Sequence, residues 1–195
     1  MKPVLLITLL LSQLLSLSQT SSVPVNELKD TEPEVSDFAY SLPYQKGKSY
    51  LLVQAYQAKL LSHRGEFALD FKMKKGTKIC AARSGVVVDV KQESKKGGIG
   101  RKYLSQGNHV IIKHDDDTYG NYWHLKHNGA IVHVGDTVQQ GQPIGLAGST
   151  GYAMFSHLHF EVTTEPRPGH HQLRTRFNTK EGKRYLKPMH RYTSI

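Results

Sequence analysis

The sequence predicts an all-β domain of antiparallel strands, built as a sandwich or as packed sheets. Three observations predict it. From about residue 38 to 163, short runs of Val, Ile, Tyr and Phe alternate with glycine turns, and no helical heptad or long amphipathic helix competes with them. With 195 residues, of which 38% are hydrophobic and 22% charged, the chain is long enough for one buried core. We therefore expect a single globular domain at residues 38–163.

The chain begins with a segment typical of a cleavable signal peptide, residues 1–22. Lys2 precedes an apolar run from Val4 to Leu17 that polar residues interrupt. A bilayer-spanning helix needs roughly 20 apolar residues, so this run predicts export rather than a membrane anchor. Export would be to the periplasm or outside the cell, with no transmembrane segment after cleavage. Residues 23–37 are acidic, contain two prolines and predict an extended linker.

The clearest strands of the domain follow in order. The sequence predicts strands at Gly85–Lys91, His109–His114 and Tyr119–Leu125, and Asp115–Asp117 joins the last two as a hairpin. Tight turns are expected within Val134–Val138 and Gly141–Gly145, and His157–Val162 predicts a final strand.

Residues 164–195 form a basic C-terminal extension. It holds eight Lys or Arg residues and two acids, and we favour a basic surface strand or tail packed on the domain over a stacking surface for nucleic acid. The whole chain carries a formal charge of +10, which favours polyanionic neighbours. For an exported protein these are anionic cell-wall polymers or lipid headgroups, and no nucleic acid is expected.

Cys80 is the only cysteine in the chain, so no intramolecular disulfide can form. It lies in a short apolar run and is expected to be a small buried side chain. A nucleophilic cysteine is the alternative, but its local sequence offers no base partner.

The strongest local motif is the run from Ser156 to Val162, which reads Ser-His-Leu-His-Phe-Glu-Val. Alternate residues of a strand face the same side, so His157 and His159 would project together. Two imidazoles on one face suit a metal or a proton-transfer site, although two histidines in a strand can also be fortuitous. Glu161 falls on the same face and is either a hydrogen-bond acceptor for a histidine or the exposed end of the strand.

Two further segments offer candidates. His63 is followed, after a glycine, by Asp70 within Ala-Leu-Asp-Phe. A carboxylate within an apolar strand is costly unless it is paired or bound to a metal, which favours a ligand role for Asp70. His124 lies in Tyr-Trp-His-Leu among large apolar residues, where a buried histidine bonded to the backbone is the default interpretation.

Taken together and in this order, the motifs resemble those of the lysostaphin-type (LytM-domain) zinc metallopeptidases. The resemblance spans roughly residues 40–162 and rests on the His and Asp of the first motif, the Tyr-x-His-Leu strand and the final His-x-His strand. It implies the duplicated-hybrid-motif type of antiparallel β domain. It also implies a secreted endopeptidase that hydrolyses peptide cross-links or stem peptides of bacterial peptidoglycan.

The resemblance further implies one zinc ion per chain, bound by His63, Asp70 and His159. Three protein ligands and an open position for water are typical of a catalytic zinc, which lowers the pKa of that water and polarises the scissile carbonyl. His124 and His157 would act as general base and as oxyanion partner, with the assignment between them open. Six residues separate His63 from Asp70, where family members commonly have three, and the longer loop makes Glu66 a rival ligand.

Two interpretations from other classes compete with the peptidase. The first is a metal-free module of the same fold that binds the cell wall or activates a hydrolase; the presence of all five expected site residues argues against it. The second is a biotinyl or lipoyl carrier domain, because Gly135–Gly145 resembles the turn pattern of those small β domains. A carrier needs an acceptor lysine at a hairpin tip, and no Met-Lys or Asp-Lys occurs between Gly135 and Thr163.

Overall fold

A computed structural model describes residues 38–56, 66–166 and 171–195 of the chain. The predicted signal peptide, the predicted linker and the candidate ligand His63 lie outside these residues. The described residues all belong to one compact unit. No helix among them is long and apolar enough to span a membrane.

The described residues form strands almost throughout, which confirms the predicted all-β class. The only helical element in this part of the chain is the 3-10 helix Arg101–Gln106. The strands are β1 (Ala39–Tyr40), β2 (Ser49–Gln54), β3 (Ala68–Lys72), β4 (Lys78–Cys80), β5 (Gly85–Lys91), β6 (Gly97–Gly98), β7 (His109–Lys113), β8 (Tyr119–Trp123), β9 (Leu125–Ala130), β10 (Thr137–Val138), β11 (Pro143–Ala147), β12 (Gly151–Tyr152), β13 (His157–Thr163), β14 (Gln172–Leu173), β15 (Arg176–Thr179), β16 (Gly182–Arg184) and β17 (His190–Thr193).

The main sheet has the strand order β10-β5-β7-β8-β13-β3-β2-β17, and β14 pairs with the end of β13. Its neighbouring strands are antiparallel, as the sequence predicts. A smaller sheet, β4-β11-β9, contributes to the same apolar core, which includes Ile79 from β4 and Ile144 from β11. The largest buried side chains of this core are aromatic, among them Tyr122 and Phe160, whose ring centroids lie 5.1 Å apart.

The predicted strands agree with the structure to within one residue at their ends, except at one position. β5 has the predicted bounds, and β7 and β8 form the predicted hairpin, in which the His114 amide donates to the Thr118 carbonyl at 2.8 Å. The segment predicted as one strand at Tyr119–Leu125 is broken at His124, which lies between β8 and β9 with φ +66°. Left-handed backbone is uncommon for a residue other than glycine, and it interrupts the alternation of side chains along the strand.

The basic segment 164–195 contributes strands to the sheets from residue 172 onward. β17 pairs with β2 at the edge of the main sheet, and β15 pairs with β1 in a separate small sheet. Apolar side chains of this segment, including Phe177 and Tyr192, are buried in the core. Its described part is therefore a structural element of the domain, and its lysines are exposed.

Candidate active site

Five neighbouring strands bring one row of side chains into register across the main sheet. Gln54 on β2 pairs with Asp70 on β3, and Asp70 pairs with His159 on β13. His159 pairs with Trp123 on β8, and Trp123 pairs with His109 on β7. Because directly opposed residues of antiparallel strands point to the same face, the row gathers polar groups from distant parts of the sequence.

Asp70, the second residue of this row, is almost completely buried. Its Oδ1 atom lies 3.0 Å from His159 Nδ1 and 3.7 Å from His157 Nε2. Its other oxygen, Oδ2, accepts a hydrogen bond of 2.8 Å from Gln54 Nε2. A buried carboxylate is stable only with such partners, and here they leave Oδ1 directed at the two histidines.

His157 and His159 project to the same side of β13, as the alternation of the strand predicts. The ring of His124 joins them, with centroids 4.6 Å from His157 and 5.8 Å from His159. In an unbroken strand His124 would face away from Trp123, but both residues line the same groove. The left-handed backbone of His124 therefore brings its imidazole to the histidine pair. Backbone strain of this kind is often found at functional sites.

Backbone carbonyls fix the tautomers of two of the histidines. His124 Nδ1 lies 2.7 Å from the Thr150 carbonyl oxygen, and His157 Nδ1 lies 2.9 Å from that of Phe155. A carbonyl oxygen only accepts, so in both rings Nδ1 carries the proton. In the neutral rings Nε2 is then the atom that can accept one.

Burial and charge affect the histidines differently. Burial, together with the neighbouring His157 and His159, lowers the pKa of His124 to about 3, so its ring is neutral at pH 7. Burial also lowers the pKa of His159, but the hydrogen bond and charge of Asp70 outweigh it and raise that pKa to about 9. The carboxylate of Asp70 therefore stabilises the protonated ring of His159.

The candidate residues line an open groove of about 750 Å³. Glu66 and Glu161 also line it. Glu161 is buried and accepts a hydrogen bond from Gln172, whose own amide oxygen accepts from the Phe67 backbone at 2.9 Å. The exposed-end interpretation of Glu161 is therefore wrong.

Several side chains near the motifs lie away from the groove. Tyr40, Tyr44 and Tyr122 are buried in the core, whereas the exposed Tyr152 lines the groove. Cys80 is buried, and burial raises the pKa of its thiol to about 11, which suits the structural interpretation.

Sequence reasoning missed several groove residues. Gln54 lies outside the motifs and Trp123 is the variable position of the Tyr-x-His-Leu motif, so only the strand register places them beside Asp70 and His159. The exposed apolar residues of the groove, Ile99, Leu104, Met154 and Phe155, were also missed. Their signal was an apolar side chain within glycine-rich or polar loops, where burial in the core is not expected.

The described residues provide only part of a zinc site. Asp70 and His159 offer a carboxylate oxygen and an imidazole nitrogen, both ligand types of zinc, to the same point of the groove. No three His, Cys, Asp or Glu side chains among residues 38–56, 66–166 and 171–195 form a complete metal-binding group. The third expected ligand, His63, lies outside those ranges.

The sequence profile of peptidase family M23 matches residues 63–171, which is more than half of the chain. The chain therefore belongs to peptidase family M23. This membership confirms the resemblance drawn from the His-Asp, Tyr-x-His-Leu and His-x-His motifs.

Curated relatives of the matched region include two endopeptidases. The chain is 35% identical over 99 residues to the peptidoglycan DD-endopeptidase ShyA of Vibrio cholerae, which covers 51% of this chain and 20% of ShyA. It is 33% identical over 98 residues to the glycyl-glycine endopeptidase ALE-1 of Staphylococcus capitis, covering 50% of this chain and 24% of ALE-1. The matched region is thus no more than a quarter of either relative.

Solved structures with the same fold include the catalytic domain of EnpA, a prophage-encoded M23 protein of Enterococcus faecalis. The TM-score is 0.51 at 25% identity, and the match covers 67% of this chain and 92% of EnpA's. A zinc-containing peptidase of Vibrio cholerae matches with a TM-score of 0.50 at 28% identity, covering 67% of this chain and 38% of that one.

Proposed function

We propose that the protein is an exported zinc metalloendopeptidase that hydrolyses peptide cross-links or stem peptides of bacterial peptidoglycan. The observation that carries the proposal is the meeting of Asp70 and His159, with Oδ1 and Nδ1 3.0 Å apart, beside His124 and His157 in one groove. Family membership supports the reaction type, and the activities of the relatives ShyA and ALE-1 support the substrate.

Asp70 and His159, together with His63, would hold one zinc ion per chain. A metal bound there supplies a Lewis acid, which makes water nucleophilic near neutral pH and polarises the scissile carbonyl. The contact from Gln54 to Asp70 Oδ2 keeps Oδ1 turned towards His159. Glu66 lines the same groove and is the rival for the carboxylate position, but its strand context is weaker than that of Asp70.

His124 and His157 carry the proton transfers in this proposal. Each ring has its Nδ1 proton directed at a backbone carbonyl, so each can accept a proton from the nucleophile at Nε2. The same ring, once protonated, donates from Nε2 to the developing oxyanion or to the departing amine. Either ring can take either role, since both are held in the same tautomer.

The groove and the charge of the chain suit this substrate. The groove is open to solvent, and exposed side chains such as Ile99 and Met154 line it, so a polymer-linked peptide can reach it. The formal charge of +10 attracts an anionic wall, and export would bring the enzyme to it.

The first test is the zinc content of the purified mature protein, measured by mass spectrometry, together with the release of new amino groups from purified peptidoglycan. We expect one zinc per chain and amino-group release in the wild type, with both lost in His159→Ala. Retained zinc with release reduced by about 10²–10⁴-fold is expected for His124→Ala and His157→Ala. His133→Ala, at an exposed position outside the groove, is the matched control.

A wild type that neither retains nor reloads zinc and releases nothing would contradict the proposal. The metal-free module that binds the wall or activates another hydrolase would then be the better interpretation.

A further inference from the structure

A residue from a distant segment holds the imidazole of His124. His124 lies between β8 and β9 with φ +66°, a conformation that costs energy for a residue other than glycine and persists where the surrounding structure maintains it. The ring Nδ1 donates to the carbonyl oxygen of Thr150, which lies between β11 and β12, at 2.7 Å. The direction of the ring therefore depends on where the Thr150 peptide group lies.

The hydroxyl of Thr150 both accepts and donates a hydrogen bond. It accepts from the Asn108 amide at 3.0 Å and donates to the Leu125 carbonyl at 2.6 Å. The Leu125 amide in turn donates to the Asn108 carbonyl at 3.1 Å. Asn108, Leu125 and Thr150 are all buried, and we call this closed set of three hydrogen bonds the His124 brace. Because Leu125 directly follows His124, the brace contacts the backbone beside His124 as well as its ring.

The side chain of Asn108 connects the brace to two further segments. Asn108 is fully buried, and its amide group bonds to the backbone. Its Oδ1 accepts from the Ser94 amide at 3.0 Å, and its Nδ2 lies 3.2, 2.9 and 3.3 Å from the carbonyl oxygens of Gln92, Ser94 and Lys126. An asparagine suits this position because it offers an acceptor and donors together, whereas an aspartate would offer only acceptors to these carbonyls.

Asn108 and Thr150 are not among the residues that line the groove, although His124 is. Their effect on the reaction would therefore act through His124 or through the stability of the domain. These two routes give different results in an experiment, because a general loss of stability does not change the turnover of molecules that remain folded.

We propose that Asn108 and Thr150 are positioning residues for proton transfer, which hold the His124 ring with its Nδ1 proton on the Thr150 carbonyl. The inference rests on the proposed function, in which His124 accepts a proton at Nε2. Without the brace the Thr150 carbonyl can turn away, and the ring loses the bond that sets its tautomer and its direction. Displacement of a catalytic group by about 1 Å can lower a rate by about 100-fold, so the effect is large enough to measure.

Two substitutions at Thr150 separate the hydroxyl from the rest of the side chain. Thr150→Val keeps the branched shape and removes the hydroxyl, whereas Thr150→Ser keeps the hydroxyl. The assay uses the zinc-loaded protein and soluble cross-linked muropeptides. We expect Thr150→Val to lower kcat by about 10–100-fold, with KM and zinc content unchanged. Thr150→Ser should retain most of the wild-type kcat.

Thr179→Val is the matched control. The hydroxyl of this buried threonine accepts from the Glu181 amide at 3.2 Å and donates to the Gly182 carbonyl at 2.8 Å, outside the groove. The substitution therefore removes the same two kinds of hydrogen bond as Thr150→Val. If Thr150 had a purely structural role, both valine variants would be less stable and both would keep the wild-type kcat. We expect kcat to fall in Thr150→Val alone.

Nitrogen NMR of isotope-labelled histidine rings tests the position of His124 without substrate. The ring signals of His124 are those that disappear in His124→Gln. We expect the wild type, Thr150→Ser and Thr179→Val to show a proton on Nδ1 that is protected from exchange with water. In Thr150→Val and in Asn108→Asp this proton should exchange faster, and signals of the other tautomer should appear.

The outcomes separate this inference from the proposed function. A wild-type kcat and unchanged His124 signals in Thr150→Val would overturn the inference and leave the peptidase intact. Equal losses of kcat in the two valine variants, or in Thr150→Ser and Thr150→Val, would overturn it as well. A zinc-loaded wild type that cleaves no muropeptide would overturn the proposed function and this inference with it.

Discussion

Asp70 is a carboxylate in the middle of a strand, and its two oxygens have different partners. Oδ2 accepts from Gln54 Nε2 at 2.8 Å, and Oδ1 lies beside the two histidines of β13. A carboxylate without the Gln54 contact could rotate and offer either oxygen. Residues that orient a metal ligand in this way commonly change metal affinity when they are replaced.

Replacement of Gln54 should therefore weaken zinc binding. We expect Gln54→Leu to raise the zinc dissociation constant by about 10–100-fold, because Asp70 loses the donor that fixes its orientation. Competition with a chromophoric chelator measures this constant. Gln140→Leu, at an exposed turn position, is the control, and an unchanged constant in Gln54→Leu would show that the contact does not position Asp70.

The sequence identified the site residues whose role can be inferred from their immediate neighbours in the chain. Asp70 and the His157–His159 pair follow from a carboxylate in an apolar strand and from strand alternation, and the structure brings them together. Gln54 could not be found this way, since its importance comes from the pairing of β2 with β3, which residues 55–67 separate in sequence. Only a bend in the backbone brings His124 into the groove, and no residue type encodes that bend plainly.

At the scale of elements, a close contact between two glycines supports the position of His124. A Cβ atom on Gly151 would lie 2.7 Å from the Gly107 Cα, and 3.4 Å from His124 Nδ1. The neighbouring Thr150 carbonyl oxygen accepts the hydrogen bond from His124 Nδ1, and the Thr150 hydroxyl donates to the Leu125 carbonyl at 2.6 Å. The start of β12 and the segment before β7 thus have to approach closely for His124 to be held.

Gly151→Ala should disturb this contact, and Gly47→Ala provides a matched comparison. Both glycines have positive φ, +81° and +79°, but a Cβ at Gly47 meets nothing within 4 Å. Both variants therefore incur the left-handed penalty of about 1–2 kcal/mol. Only Gly151→Ala adds a clash with backbone, so we expect a further loss of about 1–3 kcal/mol in the free energy of unfolding and about tenfold in kcat.

Chemical denaturation and steady-state kinetics of both variants check this prediction. Equal stability losses and equal activity in the two alanine variants would mean that the chain accommodates the extra methyl group without moving His124.

The strands that sequence reasoning located share one property. β5, β7 and β13 carry strong β-branched or aromatic runs, whereas β14 and β17 lie in mixed polar sequence. The latter two strands form because partners from distant parts of the chain supply their hydrogen bonds, as β2 does for β17. A single sequence shows propensity and alternation but not which strands pair. The sequence alone therefore could not predict the strand pairing that brings Gln54 and His109 into one row across the main sheet.

At the scale of the whole molecule, a buried histidine connects stability to pH. His114 is buried with its Nδ1 2.8 Å from the Ser84 carbonyl, and its ring lies 5.5 Å from that of Tyr40. Burial is the main cause that lowers its pKa to about 4. Arg83 lowers it further, while the Ser84 bond and the charges of Asp115 and Asp116 oppose the shift. The folded protein therefore holds this ring neutral.

The unfolded chain binds a proton at His114 more readily than the folded protein does, because an unperturbed histidine has a pKa near 6.5. The contribution of His114 to the free energy of unfolding is fully present above about pH 6.5 and is lost as the pH falls towards 4. This loss amounts to about 3 kcal/mol in total. Urea unfolding of the metal-free protein at several pH values gives the slope of the free energy of unfolding against pH. This slope should be smaller in His114→Phe than in the wild type. His133→Phe, at an exposed position, should keep the wild-type slope; identical slopes in all three would contradict the assignment.

The net charge of the molecule makes a separate prediction about insoluble substrate. A chain with a formal charge of +10 should concentrate on an anionic wall through interactions that salt screens over about 8 Å at physiological ionic strength. Hydrolysis of intact sacculi should therefore slow by about tenfold or more between low salt and 0.5 M salt. Hydrolysis of a short, soluble, neutral peptide substrate should change little, because adsorption plays no part in it. Equal salt dependence on both substrates would mean that salt acts on the groove itself rather than on adsorption to the wall.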